Sequence, residues 1–321
     1  MTLQQQIRAN RFRTVLVLAA FGLLIIALGG AAYALGGTGL GGLVLVVGVV
    51  YGIFAYISSG SMVAKLTGAH PVTREQWPEV YHLIDTVSIA AGMEAAPPLY
   101  VVDDPAPNAF AAGRVPAKSY VVVTSGLLES MSKRELEGVL AHEVSHIRNR
   151  DVRLMTLAAV LVGVVALVSD LLARMLYFGG GRRKGGDSSQ GWIFLVLAIV
   201  TILLAPLAAV MVQMALSRRR EYLADASAAE ITNDPEGLAL ALRRLELNHR
   251  EIQHVTSATA HLYIETPLRN ATGPSKFVAG LFNTHPPLAA RIGVLEEAGG
   301  FRLPETLPTP GDLQMSERSE M

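Results

Sequence analysis

Apolar positions divide the chain into membrane-like and soluble-looking stretches. Val15 to Leu35 is an uncharged apolar run, and Gly42 to Ile57, extended by Ser58 to Gly60, is a second. A helix needs about 20 apolar residues to cross a bilayer core. Joined by the tight uncharged link 36–41, the two predict a transmembrane hairpin over residues 1–60, with spans of about 15–35 and 42–59. A basic start (Arg8, Arg11, Arg13) before an apolar run also fits a secretory signal, but this run is long and a second follows at once. Met155 to Tyr177 and Trp192 to Leu216 predict another hairpin over residues 154–216, with spans of about 155–177 and 192–216. Asp170 and Arg174 interrupt the first of these, four apart on one helix face, and Pro206 kinks the second. The Gly-rich polar link 179–191 is expected to be mobile.

Between the hairpins lies a soluble stretch, residues 61–153. Pro71 to Gly92 has helical periodicity, with Trp77, Val80, Tyr81, Ile84, Val87 and Ile89 near one face. Leu99 to Val102 and Tyr120 to Thr124 are β-branched or aromatic runs bounded by Pro and Gly, so they predict strands. Asn108-Ala-Phe-Ala-Ala-Gly113 could form a further strand or a loop of small residues. Ser132-x-x-Glu135 is a capping box, which starts a helix near Lys133. Residues 217–301 look helical and soluble, and the Pro-rich tail 302–321 is expected to be disordered. The fold class expected is mostly α with a small β-sheet, in a multi-pass membrane protein.

Composition agrees with a membrane: 51% of the residues are hydrophobic and 17% charged, where a soluble domain carries about 25% charge. Twenty-seven basic and 27 acidic residues balance, which gives no basis for a nucleic-acid partner. With no cysteine, thiol catalysis, disulfides and Cys-type metal sites are excluded, and a transition-metal site must use His and carboxylates. Arg8, Arg11 and Arg13 place the N-terminus inside. Arg148, Arg150, Arg153 and Arg218 to Arg220 then favour the cytoplasmic side for the soluble parts, against Arg182, Arg183 and Lys184 in the second hairpin's link. Those three leave open whether the third and fourth runs cross fully.

His142-Glu143-Val144-Ser145-His146 is HExxH. At i and i+4 on a helix, two imidazoles share a face and reach one ion, while a glutamate about 100° round the axis can reach a water beside the metal. Zinc makes that water acidic near neutral pH, and Glu143 can take its proton and later give it to a leaving amine. A solvated helix face with two histidines is the bland alternative. A catalytic zinc needs a third protein ligand. Glu221 is a candidate, with Asp225 four residues on as an acceptor orienting a ligand imidazole. A salt bridge from Glu221 to Arg218–Arg220 is the competing use, and pairing of the two later apolar runs favours the ligand by bringing Glu221 near the HExxH helix. His70, His82, His249, His254 and His261 are taken as surface or core residues, and no partner for Arg291 can be read from sequence.

These features resemble the HtpX-type membrane zinc metalloproteases, distant relatives of the CAAX prenyl proteases. HEVSH at 142–146, SRRREYLAD at 217–225, NAFAAG at 108–113 and THPPLAARI at 284–292 carry the resemblance. It covers nearly all the chain up to about Phe301. It implies a gluzincin-type site with one Zn2+ on His142, His146 and Glu221, Glu143 as base and acid, and Asp225 behind the metal. It implies Asn108, Ala109, Phe110 and Ala111 as a substrate-binding edge strand, and a role for His285 either capping the metal at rest or stabilising an oxyanion. The activity implied is endopeptidase cleavage of misfolded or damaged membrane proteins, at the cytoplasmic side of the plasma (inner) membrane. Self-cleavage at 179–191 or in the tail is a further expectation. The competing readings are a non-catalytic zinc-binding membrane scaffold, a transporter or channel component and a metal-sensing or metal-storage protein. The intact Glu143 opposes the first, four spans with one Asp–Arg pair and no polar track oppose the second, and a single compact three-ligand site is poor support for the third.

Overall fold

The computed structural model describes residues 3–161, 163, 218–248, 250, 252, 259, 262–264, 286–304 and 307. The expected third and fourth spans beyond Leu161, the link 179–191, His285 and nearly all of the tail lie outside these residues.

Helical backbone runs from Leu3 to Thr67 (α1). It doubles back on itself: a Cβ on Gly29 would lie 2.5 Å from Leu45 Cδ2, and one on Gly48 would lie 2.7 Å from Ile25 Cγ2. Both pairings centre the reversal near Gly37. The link 36–41 therefore stays helical while the chain turns. Two stretches are long and apolar enough to cross a membrane, Arg8–Gly30 and Gly41–Thr67. They are mostly uncovered by protein, with Leu23, Ile26, Val46, Val50 and Ile57 among the exposed side chains. Leaving such a side chain in water forgoes roughly 1.5–3 kcal/mol. Gly68 ends α1 in the left-handed region (φ 70°), while Ala69 N–H donates to Ala64 O.

A four-stranded sheet follows: β1 (His70–Pro71), β2 (Leu99–Val102), β3 (Ala109–Gly113) and β4 (Ser119–Thr124). The order is β1-β2-β4-β3, parallel between β2 and β4 and antiparallel elsewhere. NAFAAG thus supplies an edge strand, paired through Ala109↔Val123 and Ala111↔Val121. Alternation sends Leu99, Val101, Ala109, Ala111, Val121 and Val123 into the main core. Val102, Phe110, Ala112, Tyr120 and Val122 enter a second cluster that includes Ala55 and Val63 of α1 and Met155 and Ala159 of α5 (Val152–Leu161). Coverage of both faces explains why β4 is buried throughout, as its near-continuous apolar run suggests.

The main core is closed by α2 (Pro78–Ala90), α3 (Ser125–Ser130), α4 (Lys133–Arg148), α6 (Arg218–Thr232), α7 (Pro235–Leu247) and α8 (Leu288–Gly299). α2 is shorter than the periodic stretch 71–92, because Pro78 takes the first helical turn. Ile89 does not share its buried face: it is 78% exposed. Nine residues after Val80, at about 100° each, it lies on the opposite side of the helix. α4 begins at the expected capping box, Ser132 accepting from Glu135 N–H while Glu135 Oε2 accepts from Ser132 N–H. Arg244 of α7 clamps Glu135 at 2.8 Å, and Gly138 lets α4 touch the backbone of Leu238.

Candidate metal centre

α4 buries its whole middle, so His142, Glu143 and His146 are all nearly inaccessible to solvent. The imidazoles lie edge to face, with their Nε2 atoms 3.2 Å apart. α6 packs beside α4 and brings in Glu221, whose carboxylate oxygens lie 3.8 Å from His142 Nε2 and 3.7 Å from His146 Nε2. Ligand atoms from these three residues all fall within 4.8 Å of one another. A tetrahedral zinc with bonds of about 2.0–2.2 Å has ligand-to-ligand edges of about 3.3–3.6 Å. Two nitrogens and a carboxylate at these separations are close to three corners of such a centre, which would leave the fourth for water or substrate.

The outward nitrogens are also held. His142 Nδ1 is 3.0 Å from Asp225 Oδ1, and His146 Nδ1 is 3.2 Å from Asp151 Oδ2. In each ring Nδ1 faces a carboxylate, so a neutral ring keeps its proton there and turns the lone pair of Nε2 toward the shared centre. Asp225 occupies the place expected from its spacing to Glu221. Asp151 was not anticipated; an acidic residue five positions after His146 was the available signal.

Arg291 of α8, fully buried, grips Asp225 with Nε at 2.8 Å and Nη2 at 2.6 Å, and donates from Nη1 to Ile264 O. Its Nη1 also lies 3.7 Å from Glu221 Oε2. Sequence gave this arginine no partner, because 66 positions separate it from Asp225.

Charges tune the site. Burial, reinforced by the Arg291 charge, pushes the His142 imidazole down to about 4 against the pull of Asp225, so the ring is neutral at physiological pH, as a metal ligand must be. Burial alone would push His146 down, but its Asp151 hydrogen bond and the charges of Glu221, Asp151 and Glu143 outweigh it and lift the ring to about 9. Burial raises Glu143 to about 7, with Glu221 adding to the rise and His146, Arg291 and the Ala111 amide of β3 opposing it. A buried carboxylate poised near neutrality beside a metal-ligand cluster suits proton transfer.

Of the expected edge-strand residues, Ala109–Ala111 lie in β3 and Asn108 immediately before it, and the Ala111 amide reaches Glu143. His285 falls outside the described residues.

The sequence is similar to those of known proteins. Residues 74–298 match the model of peptidase family M48. A "Protease HtpX homolog" of Limosilactobacillus fermentum is 42% identical over 302 residues, 92% of this chain and 99% of that protein. One of Streptococcus uberis is 40% identical over 90% of this chain and 98% of its own length, and one of Dictyoglomus turgidum is 45% identical over 77% and 78%. A crystal structure of S. mikatae Ste24p aligns with a TM-score of 0.44 and 19% identity, over 91% of this chain and 66% of that one. The chain belongs to peptidase family M48, and within it to the HtpX type.

Proposed function

We propose that this chain is a membrane-embedded, zinc-dependent endopeptidase that hydrolyses peptide bonds of misfolded or damaged membrane proteins. The observation that carries the reading is the convergence of His142, His146 and Glu221 on one point with Glu143 buried beside them. His142, His146 and Glu221 would hold one zinc ion. When bound, zinc supplies a Lewis acid that polarises a peptide carbonyl and makes water acidic near neutral pH. Glu143 accepts a proton from the attacking water as the carbon–oxygen bond forms. It then gives that proton to the amide nitrogen as the carbon–nitrogen bond breaks, releasing an acid and an amine. His285 would either cap the metal at rest or stabilise the developing oxyanion.

An extended substrate would add to the β3 edge. Ala109 O already accepts from Ile264 N–H, Gly113 N–H donates to Thr156 Oγ1 and the Ala111 amide reaches Glu143, so among the described residues the edge group offered is the Ala111 carbonyl. The exposed apolar surface of α1 supports membrane residence. Asn10 near its start and Gly60 near its end both bond to the soluble domain, which supports two passes returning to one side. The division into two hairpins (1–60 and 154–216) around soluble parts 61–153 and 217–301, with the active site at the cytoplasmic face of the plasma membrane, rests on the arginine distribution.

The test is cleavage of a loosely folded membrane protein by the detergent-purified chain. Wild type should cut with zinc and stop on chelation, and Glu143→Ala should be inert. Undiminished cutting by Glu143→Ala would remove the mechanism.

A further inference from the structure

The apolar N-terminal helix reaches into the candidate metal centre. α4 ends in a left-handed turn at Arg150 (φ 59°), where Asp151 N–H donates to His146 O at 3.0 Å and Arg150 N–H donates to Ile147 O at 3.1 Å. This paired closure of a helix end folds the chain back on its last turn. It sets the fully buried Asp151 beneath the very histidine whose carbonyl it caps, with Oδ2 facing His146 Nδ1. The other oxygen, Oδ1, accepts from Asn10 Nδ2, 141 positions earlier on α1. Asn10 is itself 4% exposed, and its carbonyl accepts the Thr14 hydroxyl.

We propose that Asn10 is a positioning residue for the metal: it fixes the plane of the Asp151 carboxylate, which in turn fixes the tautomer and direction of His146. The inference rests on reading His142, His146 and Glu221 as a metal site, and extends that site to a helix far away in sequence. A carboxylate held by one bond can swing about its Cβ–Cγ axis, and the imidazole it holds swings with it. A second bond from a rigid buried donor removes that freedom. An amide suits this role because it is neutral, so the full negative charge of Asp151 still acts on the imidazole. The neighbouring Arg220 does not substitute for it. That guanidinium is also 4% exposed and is drawn by the charges of Asp151 and Glu221, but its Nη1 and Nη2 make no hydrogen bond among the described residues. It balances charge without setting direction. Seating of the apolar helix pair and retention of the metal are therefore linked through one amide.

Zinc affinity of the full-length protein in detergent, measured by competition with a chromophoric chelator, tests this without recourse to catalysis. Loss of a carboxylate behind a ligand histidine weakens metal binding roughly 10–100-fold, and this is the expectation for Asp151→Asn. Asn10→Ala should weaken it by about three- to tenfold, a part of that same loss. In the Asp151→Asn background Asn10→Ala should change nothing further, because the two act as a unit. Thr14→Val, one turn along the same helix, should leave affinity unchanged. Should Asn10→Ala yield too little folded protein, Asn10→Ser, which retracts the donor by one atom, carries the same expectation. A purely structural Asn10 gives lower thermal stability with wild-type affinity, or the same weakening with and without Asp151; either result overturns the proposal. Wild type binding zinc no better than a His142→Ala/His146→Ala variant would instead remove the metal reading itself, and the role of Asn10 with it.

Discussion

His142 Nδ1 and Asp225 Oδ1 lie 3.0 Å apart, and the same carboxylate accepts from two nitrogens of Arg291, one of them on that same oxygen. The three groups form a buried chain in which arginine sets the carboxylate and the carboxylate sets the ligand. Breaking a buried ion pair by removing one partner costs about 3–5 kcal/mol. Arg291→Ala should therefore lower the melting temperature and release metal together. Arg291→Lys should recover little, since a point charge cannot reproduce a two-nitrogen grip. Full zinc content and an unchanged melting curve for Arg291→Ala would contradict this.

Glu143 should show its role in the pH profile. Burial raises its carboxyl to about 7, and only the ionised form can accept a proton. A bound divalent cation favours the ionised form. For the zinc-loaded protein, kcat/KM should therefore fall as pH drops, with a midpoint below about 7. Glu143→Gln should keep its zinc but lose roughly 10²–10⁴-fold in rate. A rate that stays level from pH 7.5 down to pH 5 on a fluorogenic peptide would exclude Glu143 as the base.

What sequence could show was local. The HExxH helix and its capping box are written within 15 consecutive residues, Ser132 to His146, and the structure has both. The spacing of Glu221 and Asp225 put both on one helix face, and both reach the histidines. Asn10–Asp151 and Asp225–Arg291 join residues 141 and 66 positions apart, and no periodicity encodes such pairs. The small-residue segment NAFAAG was ambiguous for a related reason. Strand formation there is decided by its partner β4 and by burial of both sheet faces, not by its own propensity. The turn that returns Asp151 to His146 was hidden by an arginine at the left-handed position, where glycine is the usual marker.

Gly138 holds the HExxH helix against α7. A Cβ there would lie 2.7 Å from Leu238 N and 2.8 Å from Leu238 Cα, both backbone atoms that cannot turn aside. Alanine gains about 1 kcal/mol in helix propensity. Forcing the helices apart costs roughly 1–3 kcal/mol or more, and His142 stands one turn further along α4. Gly138→Ala should thus lower the melting temperature despite its better propensity, and weaken zinc binding with it. A raised melting temperature would show that the crossing is looser than its geometry.

Metal and proton should compete at His146. In the metal-free fold the ring is lifted from 6.5 to about 9, so it carries a proton that the unfolded chain lacks between those values. A raised folded value means that this group's stabilisation is complete below about 6.5 and is lost as pH rises through about 9. Zinc requires the neutral ring and must displace that proton. His142, already neutral above about 4, has none to give. Zinc binding at pH 7 should therefore release about one proton from the histidine pair, and affinity should rise nearly tenfold per pH unit from 7 toward 9 on this account. Titration calorimetry in two buffers of different ionisation enthalpy reads the proton count directly. Replacing Asp151 by Asn removes the main support of the raised value, so the variant should bind zinc more weakly and release fewer protons at the same pH. Equal proton release by wild type and Asp151→Asn would show that the charge on His146 does not come from its neighbour.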